Sequence, residues 1–220
     1  MKNLKTIKLF TLALAAMAFV SCSSNDDLEE IVEKIEEVIP EPLEVNLVTN
    51  FAAPQLGGRG APESGEFAKF NLATGERVTS ENEWDIAFRG TNVIINGGAS
   101  SGLVDEPERT GEAAVYMATG ILTTIEEIDT EALEQDHTEG FAIVTGSGNG
   151  WYSYDSTTHI ISPIAGKIIA IRTHDGNYAL VEIVSYYKDA PEDPNYMTSE
   201  SRHYTFNYVY QPSGQITFNY

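Results

Sequence analysis

The chain has 220 residues, with 13 Lys and Arg against 33 Asp and Glu, four His and one Cys. That length suits one domain with a tail, and 42% apolar residues are enough to bury a core. A formal charge of −20 argues against nucleic-acid binding and against adhesion to anionic lipid through a basic patch, while a single Cys excludes a disulfide framework or a Cys-rich metal site.

Residues 1–21 join a basic start (Lys2, Lys5, Lys8) to an uncharged, mainly apolar run over 9–20. The run is too short to span a bilayer as a stable helix and has the length of a signal-peptide core. It leads through Phe19-Val20-Ser21 into Cys22, a placement that resembles a bacterial lipoprotein cleavage site with Cys22 as the acylated first residue. Cleavage there removes three Lys and lowers the net charge to −23. Residues 22–44 read as an acidic tether. Ser23-Ser24-Asn25-Asp26-Asp27-Leu28-Glu29-Glu30 resembles the surface-export signal of Bacteroidetes-type lipoproteins. Leu28, Ile31, Val32, Ile35, Val38 and Ile39 recur at helical spacing, and Pro40-Glu41-Pro42 ends the helix. The folded domain is expected over 45–220.

From Val45 onward the dominant period is two. Trp84, Ile86 and Phe88 alternate with Asp85, Ala87 and Arg89; Tyr204, Phe206, Tyr208 and Tyr210 alternate with His203, Thr205, Asn207 and Val209; Ile216, Phe218 and Tyr220 alternate with Gln215, Thr217 and Asn219. Each pattern predicts an antiparallel strand with one aromatic face buried and one polar face wet. Asp175-Gly176 predicts a hairpin between 167–173 and 177–187, Pro212-Ser213-Gly214 a turn between the last two strands, and Thr74-Gly75 a turn after 67–72. Helical character in the body is confined to 125–133. The segments 57–65 and 188–202 read as long loops. The expected fold class is all-β, since no regular crossover helices separate the strands.

No catalytic pattern stands in its structural context in the sequence. The Gly146–Gly150 run leads into a strand with no Lys-Ser/Thr behind it, so it does not form a phosphate loop. Gly98-Ala99-Ser100-Ser101-Gly102 has the Gly-x-Ser-x-Gly spacing but follows a strand with no helical sequel, so it reads as a tight backbone turn rather than a nucleophile elbow, and no His-Glu-x-x-His pair occurs. The protein is therefore read as a non-enzyme. Four His and two Met of the body remain. His137 lies in the acidic loop Gln135-Asp136-His137-Thr138-Glu139, and His159 heads the strand His159-Ile160-Ile161-Ser162-Pro163. His174 is read as solvated at a hairpin tip beside Asp175. His203 opens an aromatic strand, Met117 suits a core gap, and Met197 stands in a long polar loop.

Four stretches together resemble the HmuY-like family of haem-binding outer-membrane lipoproteins. They are Glu83-Trp84-Asp85-Ile86-Ala87-Phe88, the run from Asn92-Val93-Ile94-Ile95 to Ser101-Gly102, Asn149-Gly150-Trp151-Tyr152, and Ile171-Arg172-Thr173-His174-Asp175-Gly176 continuing to Tyr186-Tyr187-Lys188-Asp189. The closing Tyr204-Thr205-Phe206-Asn207-Tyr208-Val209-Tyr210 fits the family's last strands. The resemblance covers most of 65–220 in order. It implies an all-β fold that captures haem, often from a haem-carrying host protein, and passes it to an outer-membrane receptor. It also implies axial His ligands, the first on an inserted hairpin and the second just after the Trp-bearing strand. Here 130–150 is too short for that hairpin and 155–158 holds no His. His137 and His159 are therefore the expected axial pair, with Met117 and Met197 as alternatives, because some relatives use Met. A non-catalytic module of the same fold that binds a glycan or a protein is the competing expectation.

The expected location is the outer membrane, lipid-anchored and exposed at the cell surface, with the lipid as the sole membrane attachment. Cys22→Ala should abolish acylation and release the protein into the soluble fraction. A variant still membrane-bound after a salt wash would contradict this.

Overall fold

The computed structural model describes residues 42–58 and 60–220. The signal peptide, Cys22 and all but the end of the acidic tether, including its helical stretch, lie outside the described residues. The strands in chain order are β1 (Asn46–Ala52), β2 (Leu56–Gly58), β3 (Ala61–Ser64), β4 (Ala68–Asn71), β5 (Glu76–Val78), β6 (Ile86–Arg89), β7 (Asn92–Ile95), β8 (Ala114–Thr119), β9 (Tyr152–Asp155), β10 (Ile160–Pro163), β11 (Lys167–Arg172), β12 (Tyr178–Tyr187) and β13 (Ser201–Gln211). They form a five-stranded sheet in the order β1-β13-β12-β11-β8 and a four-stranded sheet in the order β5-β4-β6-β7. The pairs β9–β10 and β2–β3 are separate hairpins. Every strand pairing is antiparallel, so the all-β expectation holds. No helix among the described residues is long and apolar enough to cross a membrane.

The main core lies between the two large sheets. Phe206 of β13 sits 5.2 Å from Phe70, 5.6 Å from Phe88 and 6.0 Å from Phe51, ring centroid to centroid. Ile169 and Ile171 of β11 and Val181 and Ile183 of β12 join the same cluster. The alternate residues Ile168, Ala170, Leu180 and Val209 point to the other side of the five-stranded sheet, where Leu122, Ile128 and Phe218 cover them. The outer side of the four-stranded sheet is covered as well, by Phe67, Trp84, Ala87 and Ile94. The central strands of both large sheets are thus covered on both faces, and the polar faces expected of β6 and β13 are largely buried, while the edge strands β1 and β5 stay exposed.

This double coverage explains the local departures from the sequence pattern. Trp84 precedes β6 and leaves the strand alternation, so it packs away from Ile86 and Phe88. Asp85 and Arg89 are buried too. Residues 125–133 are not helical; the short 3-10 turn Leu122–Thr124 precedes them. Extended bridges to Thr217 and Val115 flank this segment, and Ile128 is buried under it. Its apolar spacing serves a strap across the sheet as well as it would serve a helix. Residues 216–220 form the other half of that strap rather than a strand, bound through Phe218 N to Glu126 O at 2.8 Å and Ile128 N to Ile216 O at 3.0 Å. The expected loop 57–65 folds into the β2–β3 hairpin, while the Asp175-Gly176 hairpin forms as the sequence predicts, with Gly176 at φ 93°.

Behind the four-stranded sheet lies a buried ion triad. The Arg109 guanidinium donates to Glu106 at 2.7 Å and to Asp136 at 2.9 Å, with all three side chains essentially inaccessible. Asp136 also accepts from Ile95 N and Ala142 N, and Glu106 from Ser101 N and Leu103 N. Burial raises the Asp136 carboxyl, although its donors oppose the rise. For Glu106 the burial effect is outweighed by bonds from Leu103 and Ser101 and by the charge of Arg109, so its carboxyl is lowered. The triad ties the loops after β7 and around residue 136 to the sheet edge. Gly97 and Gly98 allow this close approach: a Cβ would stand 1.7 Å from Ala113 O and 1.9 Å from Asp136 O respectively.

Removing one member of a buried ion group leaves the others uncompensated. Arg109→Ala should cost about 3–5 kcal/mol, read as a fall in the urea midpoint, whereas Lys188→Ala, which breaks an exposed pair, should leave the midpoint nearly unchanged. Equal small losses in both variants would show that the triad does not anchor these loops.

Candidate functional site

One of the four expected ligand residues, His159, contacts the loop that carries another, Met197. His159 closes the β9–β10 hairpin turn with a left-handed backbone (φ 58°) and is exposed. It is a turn residue, not the strand residue that its sequence suggests. The turn is set by Asp155, whose carboxylate accepts from Thr157 N at 2.7 Å and which pairs with Ile160 across the hairpin. That bond holds the Asp155 carboxyl below its ordinary value. Tyr154 reaches back so that its hydroxyl lies 2.6 Å from His159 Nδ1. His159 Nε2 makes no hydrogen bond among the described residues.

The second contribution comes from the loop between β12 and β13. Tyr196 places its ring edge-to-face on His159, with centroids 5.2 Å apart. Its neighbour Met197 is 77% exposed. Asn195 organises this tip: its side-chain oxygen accepts from Met197 N at 2.9 Å, and its carbonyl accepts from Ser199 N at 2.8 Å. The loop base is closed by Lys188 N to Glu200 O and by paired bonds between Asn50 and Asp189. A hairpin turn and a fastened loop thereby bring an imidazole and two phenol rings together at the surface, with Met197 next to Tyr196 in the chain.

The other two candidates lie apart from this cluster. His137 is exposed at a tight turn, exchanging backbone bonds with Gly140 while Nδ1 accepts from Glu139 N at 3.3 Å. The buried triad holds its neighbour Asp136, so that turn is firmly placed. Met117 lies on β8 opposite Ile169 and packs on the main core.

A further cleft of ≈ 790 Å³ opens beside β4 and β5, lined by Phe67, Lys69, Arg77 and Val78 among others. None of the four candidates lines it. Sequence reasoning missed Tyr154, Tyr196 and Asn195, although Asp155-Ser156-Thr157-Thr158 is a recognisable Asx-turn signal that would have placed Tyr154 and His159 on opposite sides of one turn.

The family model described as HmuY protein matches residues 64–208. The chain belongs to the HmuY family. Among solved structures it is similar to a protein of Bacteroides vulgatus assigned as an HmuY-like haem-binding protein (14% identity, 76% of this chain and 91% of that one, TM-score 0.44). It is also similar to the apo HmuY analogue of Tannerella forsythia (11%, 80% and 100%, TM-score 0.44). A third is a protein of Bacteroides fragilis assigned as a lipoprotein (16%, 79% and 96%, TM-score 0.40). No curated protein sequence matches the chain significantly.

One more polar cluster in this HmuY-family chain departs from its sequence reading. His174 is not solvated at a hairpin tip. Its Nδ1 lies 2.6 Å from Asp85 Oδ1, its backbone N donates to the same oxygen at 2.9 Å, and Asp85 Oδ2 accepts from Leu72 N at 2.6 Å. Donor atoms of Asp85, His174 and Asp175 fall within 4.8 Å of one another. Asp175, however, is engaged by Thr173 and Asn177, so the group works as a clasp between the hairpin and the four-stranded sheet. The bond to Asp85 raises the His174 imidazole above its ordinary value, against the effect of burial. Protonated His174 therefore stabilises the fold fully below the ordinary pKa of about 6.5, and this contribution is lost as pH rises through the elevated folded value. His174→Ala should cost about 1.5–3 kcal/mol near pH 5.5 and less near pH 9, as measured by urea unfolding. Equal costs at the two pH values would show that the charge adds nothing.

Proposed function

We propose that the protein binds haem at the surface formed by the β9–β10 turn and the β12–β13 loop, and that as a lipid-anchored protein at the cell surface it delivers haem to an outer-membrane receptor. Membership of the HmuY family supports the ligand class. The observation that carries the location is His159, held through Nδ1 by Tyr154, faced by Tyr196 and adjoining the loop that bears Met197. Haem suits such a surface chemically: the porphyrin is a broad apolar plate that packs against aromatic rings, and its iron takes neutral imidazole or thioether donors. His159 serves as one axial ligand through Nε2, and Met197, next to Tyr196 on the facing loop, is the candidate for the other. His137 and Met117 are the reserves, since their contacts run to other parts of the fold. The role is capture and transfer, without catalysis. The anchor at Cys22 keeps the domain at the membrane through lipid alone, with the acidic segment as spacer.

Hemin titration followed by visible absorbance tests the reading. The parent should give a saturable shift, His159→Ala should lose it, and Met197→Ala should weaken it most in the reduced state, because thioether ligation favours ferrous iron. His137→Ala and Met117→Ala should titrate as the parent does. If His159→Ala binds unchanged and His137→Ala does not, the site lies on the other turn.

A further inference from the structure

We infer that Tyr154 is a positioning residue for haem ligation: its hydroxyl orients the His159 ring and fixes which nitrogen is offered to iron. This rests on the haem-binding reading of the same surface. The bond to Nδ1 is 2.6 Å, short for a neutral pair, although the Tyr154 ring is 44% exposed and water could serve its hydroxyl equally well.

The framework around the pair is unusually determined. Tyr154 pairs with Ile161 across the hairpin, and its backbone N donates to Ser147 Oγ at 2.8 Å. Ile161 N in turn donates to the hydroxyl of Tyr187 at 3.0 Å, which fastens β10 to the five-stranded sheet. Tyr187 is itself buried in the main core. The hydroxyl is thus carried on a stalk fixed at three points. His159 sits at a positive φ, a conformation uncommon for a residue with a side chain and held here by the turn on one side and Tyr196 on the other.

The chemistry of the bond follows from the imidazole. With the proton on Nδ1, that nitrogen donates to the Tyr154 oxygen and the Nε2 lone pair is free for a metal. With the proton on Nε2, that nitrogen cannot ligate. The phenol hydroxyl serves either tautomer, donating to a bare Nδ1 or accepting from Nδ1–H; by occupying Nδ1 in both it leaves Nε2 as the nitrogen open to iron. In the loaded state, where it accepts from Nδ1–H, it aligns the ring and makes the imidazole a stronger donor, as outer partners of metal-bound His commonly do. A stronger donor favours ferric over ferrous iron, so the hydroxyl tunes how firmly each redox state is held and hence when haem is released.

Tyr154→Phe keeps the ring and removes only the hydroxyl. In the full chain, its ferric-haem affinity should fall about tenfold while its ferrous affinity falls less. The midpoint potential of bound haem should rise by about 59 mV for each tenfold by which ferric binding is weakened more than ferrous. Thermal unfolding of the unloaded variant should match the parent, because the lost bond is at the surface. Parent-like affinity and potential in Tyr154→Phe, with binding lost in His159→Ala, would overturn the positioning role alone. Parent-like binding in His159→Ala would overturn the haem site itself.

Discussion

The aromatic column of β13 is the constraint on which the rest of the structure depends. Tyr204, Phe206 and Tyr208 project from a strand that pairs with β1 on one side and β12 on the other, and their rings reach the four-stranded sheet at Phe70 and Phe88. A single strand therefore fixes the register of one sheet and the distance to the next. Tyr204 extends the effect further: its ring packs 5.2 Å from Trp151, which leads into β9, and its hydroxyl donates to Gly90 O at 2.8 Å. Burial pushes its phenol well above the ordinary value, and that of Tyr186 to about 12, so neither ionises in ordinary conditions and the column remains a neutral apolar wall. The β9–β10 hairpin is seated on this wall, and the β12–β13 loop is the connection between its two longest strands.

Irregularity in the same strands sets where the loop goes. The pairing of β12 with β13 shifts register between Ile183 and Ser185 and again before Tyr187, and Arg202 takes a positive φ at the start of β13. Bulges re-aim the chain and increase local twist. The loop leaves the sheet past these shifts, with Tyr196 arriving on His159. Exposed aromatic groups thus stand on a rigid core, an arrangement in which scaffold and the proposed recognition surface are separable.

Most of the scaffold was legible in the sequence, because period-two alternation and Asp-Gly turn chemistry act locally. The hairpin at Asp175-Gly176 and the aromatic face of β13 follow from those rules alone. What was not legible depends on partners distant in the chain. Ile125, Ile128 and Phe218 read as helix and strand until it is known that they cover one sheet face together. Trp84 reads as a strand residue until Arg109, Glu106 and Asp136 fill the space behind β6. His174 looks solvated until Asp85, 89 positions earlier, reaches it. For the proposed site, residue types were legible but placement was not: His159 and Tyr196 are 37 positions apart in the sequence, and only folding brings their rings together.

The proposed location of haem between turn and loop is most directly tested by hydrogen–deuterium exchange of the full chain with and without hemin. Protection on loading should concentrate in 154–160 and 188–200, where amides are exposed and bonds are local, while the β13 core should already be protected in both states. Protection centred instead on 134–142, or none at 154–160 under saturating hemin, would contradict the placement.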